Sequence, residues 1–182
     1  KTRQLYAGQW GTALSYTEMP QWHLDHFGIK IDEYVKHHDS HAAAGYFTSP
    51  FREATILTVD AIGEWDTVSI STADKIWIDR KETIKYPHSI GILYSAFTHR
   101  CGLKPAEEEY ILMGMAAYGE PKYKEDIYND FVHQSPFKLK QNLHRGLSDW
   151  HPEADPMDLA ASIQQVTEEL LAGLWKRASN YG

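Results

Sequence analysis

Between residues 37 and 41 the sequence sets three imidazoles and a carboxylate side by side: His37, His38, Asp39 and His41. His37 and His41 are four positions apart. On a helix that spacing puts both rings on one face, as a metal-binding pair requires, and at a strand-to-helix junction the two can also converge. A third ligand has to come from elsewhere in the chain, and a carboxylate suits a hard or borderline cation. Asp60 is the candidate, because it stands inside the apolar run "LTVDAIGEW", where an unpaired carboxylate is costly. Histidines at this spacing also occur as surface or packing residues, so a solvated turn remains the alternative.

Two further stretches have the residue types for binding an anion. In "VDAIGEWDTVS" a glycine, Gly63, follows an acid at a strand end, and a residue without a side chain lets backbone N–H groups approach a phosphate. A glycine of a tight hairpin is the competing explanation. "HSIGILYSAF" opens a helix with small residues, where free N–H groups and the helix dipole favour phosphate or ribose oxygens. Gly91 would admit a ligand there and Tyr94 lies one turn on, although Gly91 could equally admit neighbouring backbone.

The elements that must position these groups can be read from pattern. "KIDEYVKHH" (30–38) alternates imperfectly and predicts a short strand, and "SHAAAGYF" (40–47) predicts a helix capped by Asp39 or Ser40. "ATILTVDAIGEW" (54–65) and the alternating segments on either side of "ADK" predict three antiparallel strands. Residues 89–102 predict a helix with Ser89 at its N-cap and Gly102 just beyond its end; residues 106–119 predict a second, with acids in its first turn. Residues 121–150 read as a short helix and an irregular insertion. Asp155 and Pro156 then open the clearest helix, striped by Leu159, Ile163, Val166, Leu170 and Leu174. Strands followed by helices imply an α/β or α+β domain.

With 182 residues, 42% hydrophobic and 24% charged, the chain has the make-up of one soluble domain. A net charge of -7 speaks against a nucleic-acid partner, which favours a basic face. Cys101 is the single cysteine, which excludes an intrachain disulfide. No run is apolar and long enough to span a membrane, so a cytoplasmic location is expected and no membrane partner. Opening on Lys1 and closing just after a long helix, the chain is expected to be a piece of something longer.

The segments "VKHHDSHAAAGYF", "ILTVDAIGEWDTVSI", "SIGILYSAFTHRCGL" and "EEEYILMGMAAYGEP" follow one another in this order over about 36–121, nearly half of the chain. As a set they resemble the NodU-type O-carbamoyltransferases, whose members share the pattern "HHxxHAAxAY", then "VDGxGE", then "SxGxLY…MGLAxYG". These include nodulation proteins and enzymes that carbamoylate aminoglycoside or cephalosporin antibiotics.

The resemblance implies an actin-like, ribonuclease-H-related nucleotide-binding domain, similar to the universal tRNA threonylcarbamoyladenosine enzyme. It implies a divalent metal, usually iron, on His37, His41 and Asp60. It places the turn Asp60, Ala61, Ile62, Gly63 and Glu64 along a carbamoyl-adenylate, which Ile90, Gly91 and Tyr94 would also touch. That intermediate would be made from carbamoyl phosphate and ATP in a separate C-terminal domain, and the carbamoyl group passed to a hydroxyl of a small-molecule or oligosaccharide acceptor. A nodulation-factor saccharide is the first expectation and an antibiotic the second; a tRNA-modifying or regulatory relative is a further alternative. His38 is the candidate base for the hydroxyl proton. The chain departs from the family at Ile111, where members commonly carry a lysine, and in lacking the opening hairpin, the second half of the actin-like domain and the adenylate-forming domain. It is therefore expected to be one fragment (1–182) from the middle of the carbamoyl-transfer domain, with 121–155 an insertion, and not catalytically complete. The aromatics Tyr6, Trp10, Tyr16 and Trp22, with Trp150 and His151, would form either a sugar-binding wall or an ordinary packed edge.

Overall fold

The alternation of hydroxyl and aliphatic side chains in "TVSISTA" decides how the sheet is covered. In the computed structural model, which describes residues 19–33, 35–147 and 149–182, that segment belongs to the middle strand of three. β1 (Glu53–Gly63), β2 (Asp66–Asp74) and β3 (Trp77–Lys85) form an antiparallel sheet in the order β1-β2-β3. Val68 and Ile70 of β2 point to one face and Ser69 and Ser71 to the other, as strand periodicity requires, and all four are buried. A two-sided burial of that kind demands cover on both faces.

Helix α1 (Met19–Phe27) precedes the covering elements. Helix α2 (His37–Phe47) lies over the hydroxyl face and buries His38, Ala42 and Tyr46 there. The opposite face carries the main core. Val68 packs there with α3 (Ile90–Arg100), α4 (Glu109–Met115), α5 (Lys124–Phe131) and the long α6 (Pro156–Ala178). The anticipated stripe of α6 is buried at every position, from Leu159 to Leu174, and Asp155 caps it by accepting from the Met157 N–H. Ser89 likewise caps α3, and Gly102 adopts a left-handed φ of 80° just past its end. The result is a mixed α/β domain with antiparallel sheets and flanking helices. No helix among the described residues is long and apolar enough to cross a membrane.

The structure departs from the sequence-based expectations in three places. The strand expected over 30–38 is not formed: the described residues up to Lys36 are irregular and mostly exposed, and α2 begins at His37, three residues before Ser40. Glu33 interrupts the face that Ile31 and Val35 would share, and Lys30 and Asp32 make the other face polar, so the segment has no continuous apolar face to bury. The N-cap is accordingly Lys36, extended at φ −62° and ψ 147°, rather than Asp39 or Ser40. In the second departure α4 is shorter than expected and continues as one 3-10 turn, Ala116–Tyr118. The third concerns 121–155, where α5 is followed by a two-stranded ribbon, β4 (Val132–Gln134) with β5 (Phe137–Leu139). Ile127, Phe131, Phe137 and Leu139 from this segment enter the same core as α3 and α6. Tyr6, Trp10 and Tyr16, and the side chain of Trp22, lie outside the described residues.

Candidate metal centre

Two elements meet at the site, the first turn of α2 and the end of β1. β1 pairs regularly with β2 as far as Val59↔Val68, and pairing resumes at Gly63↔Asp66. Three residues, Asp60 to Ile62, thus stand opposite the single Thr67, a bulge that carries the strand out of the ladder. The bulge is held from outside the sheet. Ser89 Oγ donates to the Asp60 carbonyl at 3.3 Å while accepting from Ile92 N–H at 3.0 Å, so the cap of α3 also ties down the backbone of Asp60.

His37, His41 and Asp60 come together as anticipated. His37 Nε2 lies 2.6 Å from Asp60 Oδ2 and 3.0 Å from His41 Nε2, and His41 Nε2 lies 3.8 Å from the same carboxylate oxygen. This is the one cluster of three such donor atoms among the described residues. Two ligands at metal–ligand distances of about 2.0–2.2 Å sit about 2.8–3.6 Å apart at angles between 90° and tetrahedral, a range the three observed separations straddle. Two imidazole nitrogens and a carboxylate also form a chemically sensible set for iron, zinc or a similar cation. The residues therefore fit a divalent metal. The side chains are 42%, 57% and 29% exposed for His37, His41 and Asp60, which leaves the centre open on one side to further ligands.

His38 is placed otherwise. Its ring is 1% exposed, between α2 and the sheet. Nδ1 lies 2.6 Å from Thr58 Oγ1 and 3.3 Å from Ser69 Oγ, and the two hydroxyls are 2.6 Å from each other. Burial lowers its pKa below the usual histidine value, opposed by the nearby Asp66 carboxylate. A ring so enclosed has no open side from which an acceptor hydroxyl would approach.

Gly63 has a role the sequence did not show. A Cβ there would come within 2.4 Å of His37 Cδ2 and 2.6 Å of His38 Cδ2, so the two rings pack directly on its backbone. The left-handed position of the β1–β2 turn is taken instead by Glu64, at φ 60°, and its carboxylate accepts from the His37 N–H at 3.3 Å. A carboxylate at the first N–H of α2 also suits the helix dipole. Asp39, one residue past His38, pairs with Arg80 of β3, whose other Nη donates to Asp66 Oδ2 at 2.5 Å.

The other anticipated ligand-contacting residues are less open. Ile90 is buried in the core, and Gly91 faces Ala61, whose Cα would lie 2.7 Å from a Cβ at that position. Gly91 thus lets α3 close onto the bulge. Ile62 packs partly against the core, and the Tyr94 hydroxyl donates to Gln164 Oε1 at 2.9 Å, with burial pushing its pKa up to about 12. Trp150 packs edge-on against Phe97 and Phe131, and Arg100 holds its carbonyl at 2.6 Å.

A family profile described as "Carbamoyltransferase N-terminus" matches residues 24–180. The chain belongs to this family. Among curated relatives of this carbamoyltransferase N-terminal domain, an uncharacterized protein of Synechocystis (sll1178) is 40% identical over 76% of the chain and 26% of its own length. An uncharacterized protein of Methanocaldococcus jannaschii (MJ1058) is 30% identical over 74% of the chain and 26% of its own length. The nodulation protein NolNO of Sinorhizobium fredii is 29% identical over 58% of the chain and 16% of its own length. The domain thus spans about a quarter or less of the length of these relatives.

Proposed function

We propose that the domain forms part of an O-carbamoyltransferase and that its metal centre serves the transfer step. The observation that carries this reading is the convergence of His37, His41 and Asp60 at one open point of a chain that belongs to the carbamoyltransferase N-terminal family. The parent enzyme would take carbamoyl-adenylate, made from carbamoyl phosphate and ATP in another domain, and pass the carbamoyl group to a hydroxyl of a saccharide-type acceptor. The similarity to a nodulation protein supports that acceptor class. An actin-like, nucleotide-binding architecture and a cytoplasmic setting belong to the same proposal.

In the transfer the acceptor oxygen bonds to the carbamoyl carbon, the bond from that carbon to the adenylate phosphate oxygen breaks, and AMP leaves with the electron pair. A divalent cation held by His37, His41 and Asp60, iron by the family resemblance, would supply Lewis-acid polarisation of a ligand oxygen. The chain's own residues set the frame. Glu64 fixes the start of α2, Ser89 and Gly91 fix the bulge, and the turn from Asp60 to Glu64 borders the opening. His38 is assigned to support, and the acceptor proton passes to a group or water on the exposed side.

The test uses the full-length protein with carbamoyl phosphate, ATP and a panel of chitooligosaccharides and other sugars. AMP release together with an acceptor heavier by one carbamoyl group is expected. H41A should abolish transfer and leave carbamoyl-adenylate formation intact. Absence of product with every acceptor and metal, combined with tight, salt-sensitive tRNA binding, overturns the reading.

A further inference from the structure

One turn of α2 performs two tasks. His37 and His41 project from one face toward Asp60, while His38, a third of a turn away, projects into the sheet. The His38 ring ends against two hydroxyls from different strands, Thr58 on β1 and Ser69 on β2, which sit directly opposite each other in the ladder. Thr58 is two residues before Asp60 on the same strand. The contact therefore links the helix turn that carries two ligands to the strand that carries the third.

We propose that His38 is a positioning residue for the metal centre: its Nδ1 contact with Thr58 and Ser69 sets the rotation of the first turn of α2 that brings His37 and His41 to Asp60. This inference rests on the metal reading of those three residues. Three features support it. The ring is 1% exposed, so water does not compete for Nδ1. Its Nε2 has no hydrogen-bond partner among the described residues, so hydrogen bonding holds the ring from the Nδ1 side. Gly63 supports both the His37 and His38 rings from below, so a rotation of one ring displaces the other. Groups that orient metal ligands without touching the metal typically alter affinity about 10- to 100-fold when replaced.

The two ring nitrogens separate positioning from other roles. The terminal atoms of asparagine lie as many bonds from Cα as Nδ1, and those of glutamine as many as Nε2. H38N therefore retains the contact with Thr58, and H38Q does not. Metal-free full-length protein is titrated with Co2+, read by its visible absorption and by competition with a chromophoric chelator. Amide hydrogen exchange over 37–42 is followed in the metal-free state. H38Q and T58V should bind Co2+ about 10- to 100-fold more weakly than the parent protein, with faster exchange in that turn, whereas H38N stays within about threefold. T58V keeps shape and volume close to the parent, so the comparison survives if H38Q fails to fold. Equal affinities and exchange rates in H38N, H38Q and T58V, with H41A weakened, overturn the positioning role and leave the metal reading standing. Unaltered binding in H41A overturns the metal reading, and this inference with it.

Discussion

The buried hydroxyl of Ser89 donates to the main-chain carbonyl of Asp60, and the same oxygen accepts the Ile92 N–H that opens α3. One atom thereby couples a helix start to the bulge that carries Asp60. Replacing Ser89 with Ala removes the cap and leaves that N–H buried without this partner, at a cost of about 1–2 kcal/mol. The expected result in urea denaturation is a lower midpoint with an unchanged slope, together with weaker Co2+ binding. S89T, which restores a hydroxyl, should recover most of the loss.

Gly63 cannot carry a side chain without displacing rings that stand 2.4 and 2.6 Å from where a Cβ would be. Overpacking of that kind typically costs about 1–3 kcal/mol. G63A should therefore lower stability by that amount. It should also move His37 away from Asp60 and reduce metal affinity by at least the factor expected for H38Q. A G63A protein with parental metal affinity would show that the rings are free to shift without consequence.

Glu82 of β3 receives Arg177 and the Tyr181 hydroxyl, the latter at 2.6 Å, and so fastens the end of α6 to the sheet. Burial raises its pKa, but the hydrogen bonds from Arg177 and Tyr181 outweigh this and hold it below the usual 4.5. Because the folded state binds the proton less readily than the unfolded chain, this contribution to stability is complete above about pH 4.5 and is lost as pH falls through the folded value. Unfolding measured from pH 6 down to pH 3 should show this acid dependence reduced in E82Q. Identical profiles for the two proteins would remove Glu82 from the acid-sensitive set.

Trp150 distinguishes a packed edge from a sugar platform. Its ring centre lies 5.2 Å from Phe97 and 5.3 Å from Phe131, and its Nε1 donates to Asp130 at 2.8 Å. W150A should cost about 3–5 kcal/mol, as truncation of a packed tryptophan does, which is a large share of a domain's total stability. W150F should recover much of that stability, and its KM for a saccharide acceptor should match the parent. A raised KM in a fully folded W150F would instead return Trp150 to the acceptor site.

The parts of the fold that the sequence revealed are those governed by simple periods. The two-residue alternation of 54–85 and the stripe of α6 need no distant partner to be legible, and the i, i+4 spacing of His37 and His41 singled out the two rings that converge on Asp60. The start of α2 was hidden because its first N–H, that of His37, is met by Glu64, twenty-seven residues away, and Lys36 offers no side-chain cap. Thr58 and Ser69 gave no signal because hydroxyls are ordinary occupants of strands, and only the register that sets them opposite each other makes them a receptor for His38. Arg80 gave no signal either, because only the fold sets it between Asp39 and Asp66. The ribbon of β4 and β5 was obscured by strands of three residues each, too short to show alternation.

The bulge at 60–62 makes parity a property of the site. Thr58 and Gly63 both meet α2, yet they are five positions apart, an odd offset that an unbroken strand would send to opposite faces. Their shared orientation is stored in how many residues the bulge contains, whatever their side chains. Substitutions at Ala61 or Ile62 would thus adjust the packing, whereas losing a single residue there would turn Gly63 out from under the histidines and put a bulkier neighbour in its place. Insertions and deletions, far more than exchanges, are what this turn cannot absorb.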